Sequence, residues 1–262
     1  MFADVFTEGV IALATDDEQD KTPAYAQIVG DLRTAILGGT YKYDDRLPTE
    51  AALMDSYKCS RPTAHRALSE LEFEGLVELQ RGLGTFVRYL APILRKVGER
   101  MSADVWGAGK SVWEMETDGR NYSTDSGSST RGPAPEQPAG LLGTDDAWIR
   151  ERRHLVDGCP VMLSVSYYPA DIVAGSRIEE SDTGPGGSPA RLAELGHAPK
   201  RHRERFFNRQ PSADERRRLQ LPRGTRVVDI LRVSKDAEDR VVEVTEMVAN
   251  SNVFVFQVDY TS

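Results

Sequence analysis

The sequence predicts an α+β protein of two domains: a small helical unit closed by a β-hairpin, then an antiparallel sheet with helices. Three observations carry this. Apolar residues recur with helical period between residues 22 and 75. Two short strand-like runs then flank a glycine turn, Arg81-Gly82-Leu83-Gly84. Finally, the order helix end, strand, turn, strand occurs twice in the second half, with Arg152 aligned on Arg232 and Val161 on Val241.

The first helix is expected over Thr22–Gly39. Thr22 can N-cap it, Pro23 suits its first turn, and Tyr25, Ile28, Val29, Leu32, Ala35 and Ile36 share one face. Leu47-Pro48-Thr49-Glu50 opens a second, short helix that runs to about Tyr57. Lys58-Cys59 makes a tight turn. Ser60 then caps a third helix with Pro62 in its first turn and Ala64, Ala67, Leu68 and Leu71 facing inward, and Gly75 ends it. Strands are expected over Leu76–Gln80 and Thr85–Tyr89. Two helices joined by a tight turn form a helix-turn-helix, and the hairpin after them is a wing. By pattern alone, a three-helix bundle carrying a ribbon reads equally well.

Residues 91–101 read as a linker, with Pro92 as a hinge, and Thr117–Pro138, rich in Ser, Gly, Pro and Thr, as a long, partly disordered loop. Strands are expected over Trp148–Val156 and Val161–Tyr168 around the turn Asp157-Gly158, and over Arg226–Ser234 and Val241–Val248 around Asp236–Asp239. Ser188–Leu195 reads as a short helix, Arg201–Arg209 as a strand, Ser212 and Glu215 as a capping box, and Phe254–Tyr260 as a last strand. An isolated hairpin is marginal, so the two hairpins should share one antiparallel sheet.

The 262 residues are 39% hydrophobic, enough for two cores and too apolar for a disordered chain. No stretch approaches the ~20 apolar residues of a membrane helix. Residues 1–21 hold six acids and one base, lack a basic signal-peptide start, and are expected as a loose acidic tail; the implied location is the cytoplasm. Cys59 and Cys159 have no metal-ligand spacing and read as free thiols, so no cofactor or metal is expected. The net charge is −8, but residues 22–90 carry nine acids against eight bases. DNA binding would therefore depend on a few placed cations rather than a basic field.

The string Tyr25-x-Gln27-Ile28, Leu47-Pro48-Thr49-Glu50, Ser60-Arg61-x-Thr63, Ala67-Leu68-x-x-Leu71, Gly75-Leu76-Val77 and Gly82-x-Gly84-Thr85-Phe86-Val87 resembles the GntR family of regulators. The duplicated hairpins, with Asp157-Gly158-x-Pro160-Val161, Ser166-Tyr167-Tyr168-Pro169 and Val242-Glu243, resemble the UTRA effector domain of the HutC subfamily, a fold similar to chorismate lyase. The resemblance implies a winged helix-turn-helix over 22–90, and an effector-binding and dimerisation domain over 102–262. It implies a homodimeric repressor that binds double-stranded DNA at an inverted repeat and is released by a small polar effector bearing an anionic group.

It also implies site residues. At the start of the third helix, Arg61, Thr63 and His65 would meet base edges in the major groove, and Arg81 and Gly82 at the wing tip would enter the minor groove. Relatives usually carry arginine where this sequence has Ala51 and His65, which implies weaker binding or a different operator. In the effector domain, Arg152 and His154 stand where relatives place an arginine pair. They alternate onto one face with Ser164, Ser166 and Tyr168, and Glu243 matches an acid of the second hairpin. His154 is expected to titrate near the working pH. His197 and His202 lack a third ligand, and no acid pair has a catalytic arrangement. Two other readings remain open: a C-terminal domain that only dimerises, and a lyase-like enzyme.

Overall fold

In the computed structural model, the described residues are 22–109, 112–117 and 119–259. The acidic tail at 1–21 and the expected strand end at Tyr260 lie outside them. Helix α1 (Ala24–Leu37) begins one residue later than the Thr22 cap would place it. Pro23 itself is the N-cap, with extended ψ, and no side chain caps the helix. The Thr22 carbonyl instead accepts from Gln27 Nε2.

Helix α2 (Glu50–Tyr57) is capped by Thr49, whose hydroxyl accepts from the Ala52 amide at 3.2 Å. It ends on Lys58 in the left-handed region, which makes the tight turn. Helix α3 (Arg61–Phe73) follows Ser60, whose hydroxyl bonds the Thr63 hydroxyl rather than a backbone amide. Strands β1 (Val77–Gln80) and β2 (Gly84–Val87) pair antiparallel as the wing. Ile28, Leu32, Ile36, Leu53, Leu68 and Leu71 close one core beneath the three helices.

The connecting segment is not a plain linker. Strand β3 (Ile93–Lys96) buries Ile93 and Arg95 and exposes Leu94 and Lys96, the period-two pattern of a strand. A 3-10 turn (Glu99–Met101) and the short helices α4 (Ala103–Gly107) and α5 (Val112–Thr117) follow.

Residues 117–138 are not a long loop either. Strand β4 (Tyr122–Pro133) runs through them, bulged between Asp125 and Ser128, and helix α6 (Glu136–Leu142) follows. Its Ser-, Gly- and Thr-rich composition fits an edge strand that is exposed over most of its length. Strands β5 (Asp146–Val156) and β6 (Cys159–Pro169) form the first hairpin. Asp157 (φ 50) and Gly158 (φ 78) make the two-residue turn that such a hairpin favours.

Helix α7 (Ala170–Val173), a 3-10 turn (Arg177–Glu179) and helix α8 (Gly187–Glu194) lead to strand β7 (Arg201–Arg209). Helix α9 (Ala213–Arg218) opens with the expected Ser212–Glu215 capping box. Strands β8 (Val227–Lys235) and β9 (Val241–Asn250) form the second hairpin.

The six-stranded sheet is antiparallel in the order β4-β5-β6-β9-β8-β7. Its centre pairs Val165 with Glu246 and Ser166 with Thr245, so the two strand–helix–hairpin halves meet about a local two-fold. The last strand, β10 (Phe254–Gln257), leaves this sheet and pairs parallel with β3. Among the described residues, no helix is long and apolar enough to cross a membrane.

Candidate DNA-binding face and effector cavity

The turn after α2 brings the start of α3 to the surface. Arg61 (77% exposed) and His65 (58%) project from adjacent turns, and both reach Glu50 at the start of α2. Arg61 Nε donates to Glu50 Oε2 at 2.8 Å, and His65 Nδ1 lies 2.9 Å from Glu50 Oε1. The Arg61 guanidinium, then the His65 ring, hold the Glu50 carboxyl below its ordinary range. Thr63 is tied to Ser60 at 2.9 Å.

Arg61, His65, Arg81 and Gly82 all line one groove between α3 and the wing; Thr63 does not. Gly82 has φ +77 and open space around it, so the wing tip can approach a partner closely. Sequence reasoning missed Arg46, an exposed cation on the same groove. Its guanidinium lies so close to Gly84 that a Cβ there would stand 2.7 Å from Nε. Ala51 also lines the groove and leaves it open where an arginine would fill it.

The second site is a cavity of about 330 Å³ on one face of the sheet. All six expected residues, Arg152, His154, Ser164, Ser166, Tyr168 and Glu243, line it. The register explains this: Arg152 faces Ser164 across the first hairpin, and Ser166 faces Thr245 across the centre of the sheet. Arg152 is half-buried and forms no ion pair among the described residues; one nitrogen donates to the Ser181 carbonyl at 3.3 Å. Its neighbour Arg150 is buried and holds the loop over the cavity by donating to the carbonyls of Glu180 and Ser181, at 2.8 and 3.0 Å.

Glu243 is committed to the protein. Oε1 accepts from the Tyr168 hydroxyl at 2.8 Å, and Oε2 accepts from Arg232 Nη2 at 3.0 Å and Ser234 Oγ at 3.2 Å. Burial pushes its carboxyl up, but Arg232 and the Tyr168 hydroxyl more than offset this, so it lies below its ordinary value. Burial, then the Glu243 charge, push the Tyr168 phenol up to about 12.

His154 corrects the sequence reading. The ring is 5% exposed, stacked 4.6 Å from Trp113, and bonded at Nδ1 to the Tyr122 hydroxyl and at Nε2 to Ser164 Oγ, both 2.8 Å. Burial first, then the charges of Arg152, Arg100 and Arg95, push its pKa down to about 3. It is a neutral scaffold residue across physiological pH, not a group that titrates there.

The sequence reading also missed Arg232, Arg100, Trp113 and Tyr122 as cavity residues. Arg232 had a signal, because it is the repeat mate of Arg152. Arg100 and Trp113 had none: Arg100 lies in what reads as connecting chain, and Trp113 in a stretch before residue 117 for which no element is expected. Gly186 closes the cavity rim with φ +77; a Cβ there would stand 2.5 Å from the Trp106 carbonyl oxygen. His197 and His202 are bonded to Asp236 and Ser234, and both cysteines are free. Burial pushes the Cys159 thiol up to about 12.

Comparison with known proteins identifies both domains. Residues 24–87 match the model of the bacterial regulatory proteins of the gntR family, and residues 117–254 match the UTRA domain. An HTH-type transcriptional regulator of Streptomyces coelicolor is 31% identical over 251 residues, covering 92% of this chain and 93% of that one. The HTH-type transcriptional regulator GgaR of Escherichia coli is 27% identical over 241 residues, covering 90% and 91%. The crystal structure of PhnF from Mycobacterium smegmatis shares the fold, with a TM-score of 0.52 at 24% identity over 90% of this chain and 99% of that one. The two sequence relatives are named as transcriptional regulators, so the lyase-like reading falls. The chain belongs to the GntR family, and it is a transcription regulator in which a GntR DNA-binding domain precedes a UTRA domain of the effector type.

Proposed function

We propose that this regulator is a cytoplasmic repressor of the HutC type that binds an inverted-repeat operator as a homodimer and is released by a small polar effector bearing an anionic group. Residues 22–90 are the DNA-binding unit, and residues 102–262 bind the effector and dimerise. Arg61 and His65 read base edges, Thr63 supports them from the first turn of α3, and Arg81 and Gly82 enter the minor groove. Glu50 holds Arg61 and His65 in place before DNA arrives and gives them up, or shares them, on binding.

The observation that carries the effector reading is the cavity itself. Arg152 stands there with no carboxylate partner among the described residues, next to hydroxyls from Ser164, Ser166 and Tyr168 and a fixed Glu243–Arg232 pair. A planar guanidinium suits a carboxylate or phosphate, and the hydroxyls suit a polar body. Release works by linkage: an effector that prefers one domain arrangement shifts the protein away from the one that fits two half-sites. A coupling of ~1–3 kcal/mol gives roughly 5–150-fold release.

The test begins with operator DNA recovered by selection from random duplexes. Metabolites are then screened by thermal shift and by operator release, on the parent and on Arg152→Ala. An effector that acts equally on both places its site elsewhere. If no metabolite acts, the domain serves dimerisation alone.

A further inference from the structure

The segment that joins the two domains is also a wall of the cavity. Arg100, in the 3-10 turn that follows β3, lines it beside Met101 although only 4% of Arg100 is exposed. It sits between Glu116, whose Oε1 is 2.5 Å from Nε, and Glu204, whose Oε1 is 3.9 Å from Nη1. Nη2 also donates to Glu116 Oε2 at 3.5 Å, so Arg100 and Glu116 form a buried ion pair, while Nη1 has no hydrogen-bond partner among the described residues. Arg232, which lines the same cavity, leaves its Nε unpartnered as well. On β3, Arg95 is fully buried and pairs with Glu204 at 2.6 Å.

Unsatisfied buried donors are costly, and cationic ones more so. Burial, then the charge of Arg95, push the Arg100 guanidinium down to about 9, with Arg232 adding to the effect and Glu116 and Glu204 opposing it. An anion would supply an acceptor to Arg100 Nη1 and to Arg232 Nε, and would relieve the mutual repulsion of these cations.

We infer that Arg100 is a direct effector contact, so the anionic group is gripped by the interdomain segment as well as by the sheet. This rests on the reading of the cavity as the effector site, and it names how occupancy is signalled. An occupied cavity ties the turn 99–101 to the arginines of the sheet. It thereby fixes β3, which follows directly on the last residues of the DNA-binding unit.

The experiment uses the full chain with inorganic phosphate and malonate as probe anions, against chloride at matched ionic strength. Binding is read by thermal shift, and the connecting segment by hydrogen exchange of its amides at 93–101. The variants are Arg100→Gln, the paired Arg100→Met with Glu116→Met, and Arg152→Ala as cavity control. The paired variant replaces the buried ion pair with apolar side chains, so it folds even if loss of one partner does not.

The parent should bind at least one probe and show slowed exchange at 93–101. Both Arg100 variants should bind about tenfold more weakly or worse, and lose that protection. If Arg152→Ala weakens binding while the Arg100 variants bind like the parent, the cavity stands and the role of Arg100 falls. If the parent binds neither anion, or none of the three variants matters, the cavity reading falls and this inference with it.

Discussion

His154 gives a direct test of the cavity electrostatics. An imidazole in the unfolded chain titrates near 6.5, whereas this one is held near 3 by burial and by Arg152, Arg100 and Arg95. Because the folded value is depressed, the unfolded chain takes up the proton first as pH falls. The stability supplied by a neutral His154 is therefore complete well above pH 6.5 and is lost progressively as pH falls through that value toward 3. At pH 5 the loss from this one group is about 2 kcal/mol relative to neutral pH.

The assay is urea denaturation at several pH values on the parent and on His154→Asn, with the His154 ring followed by NMR. The parent should lose about 2 kcal/mol more than the variant between pH 7 and pH 5, and the ring should stay neutral down to at least pH 5. Effector affinity should carry no His154 step between pH 6 and 8. A ring that protonates near pH 6 to 7 would refute the argument, since it would mean that burial and the three arginines do not act on it as placed.

Three further outcomes follow from named contacts. Arg61→Ala should weaken operator binding by ~1–3 kcal/mol and relax preference at one base pair, read by competition against substituted operators. Unchanged affinity and preference would show that another residue reads that base. Glu243→Ala strands the buried Arg232 and should destabilise the fold by ~3–5 kcal/mol in thermal or chemical unfolding; a loss under 1 kcal/mol would mean that water reaches the pair. Gly158→Ala should cost ~1–2 kcal/mol in unfolding free energy, because its Cβ meets nothing within 4 Å and only the positive φ opposes it.

What could be read in advance was the structure that local chemistry enforces. Helices α1 and α3 carry strong apolar faces, helix α2 is marked by its Thr49 cap, and the hairpin at Asp157-Gly158 has both alternation and a turn that glycine completes. The cavity face followed from the same alternation only on each strand by itself: the turn alone would pair Arg152 with Leu163, and the bulge next to His154 shifts the return strand by one residue, so that Arg152 faces Ser164. Strand β4 was missed because serine, threonine and glycine speak for loops, while its ladder is supplied by a partner strand that propensity does not consider. The repeat contained the answer. Shifting Arg201–Arg209 back by the eighty residues that separate Arg152 from Arg232 lands on 121–129, which falls on β4 from Tyr122 onward.

Strand β3 was missed for a different reason. It is short, it follows Pro92, and its partner β10 lies about 160 residues later in the chain, a distance at which no local signal operates. Arg95 and Arg100 went unnoticed as buried groups because charged side chains are read as exposed, and only tertiary pairing with Glu204 and Glu116 makes them otherwise.

The parallel pairing of β3 with β10 has a mechanical consequence. The two strands run alongside each other, so a pull on the DNA-binding unit acts along β3 and loads its ladder in shear. The bonds between Ile93–Lys96 and Phe254–Gln257 then bear the force together instead of opening one after another, as they would if the strand were peeled from its end. The joint is stiff along the chain and compliant across it. Strain along β3 would therefore reach the second domain through β10, while sideways swinging of the DNA-binding unit would be absorbed before it arrived.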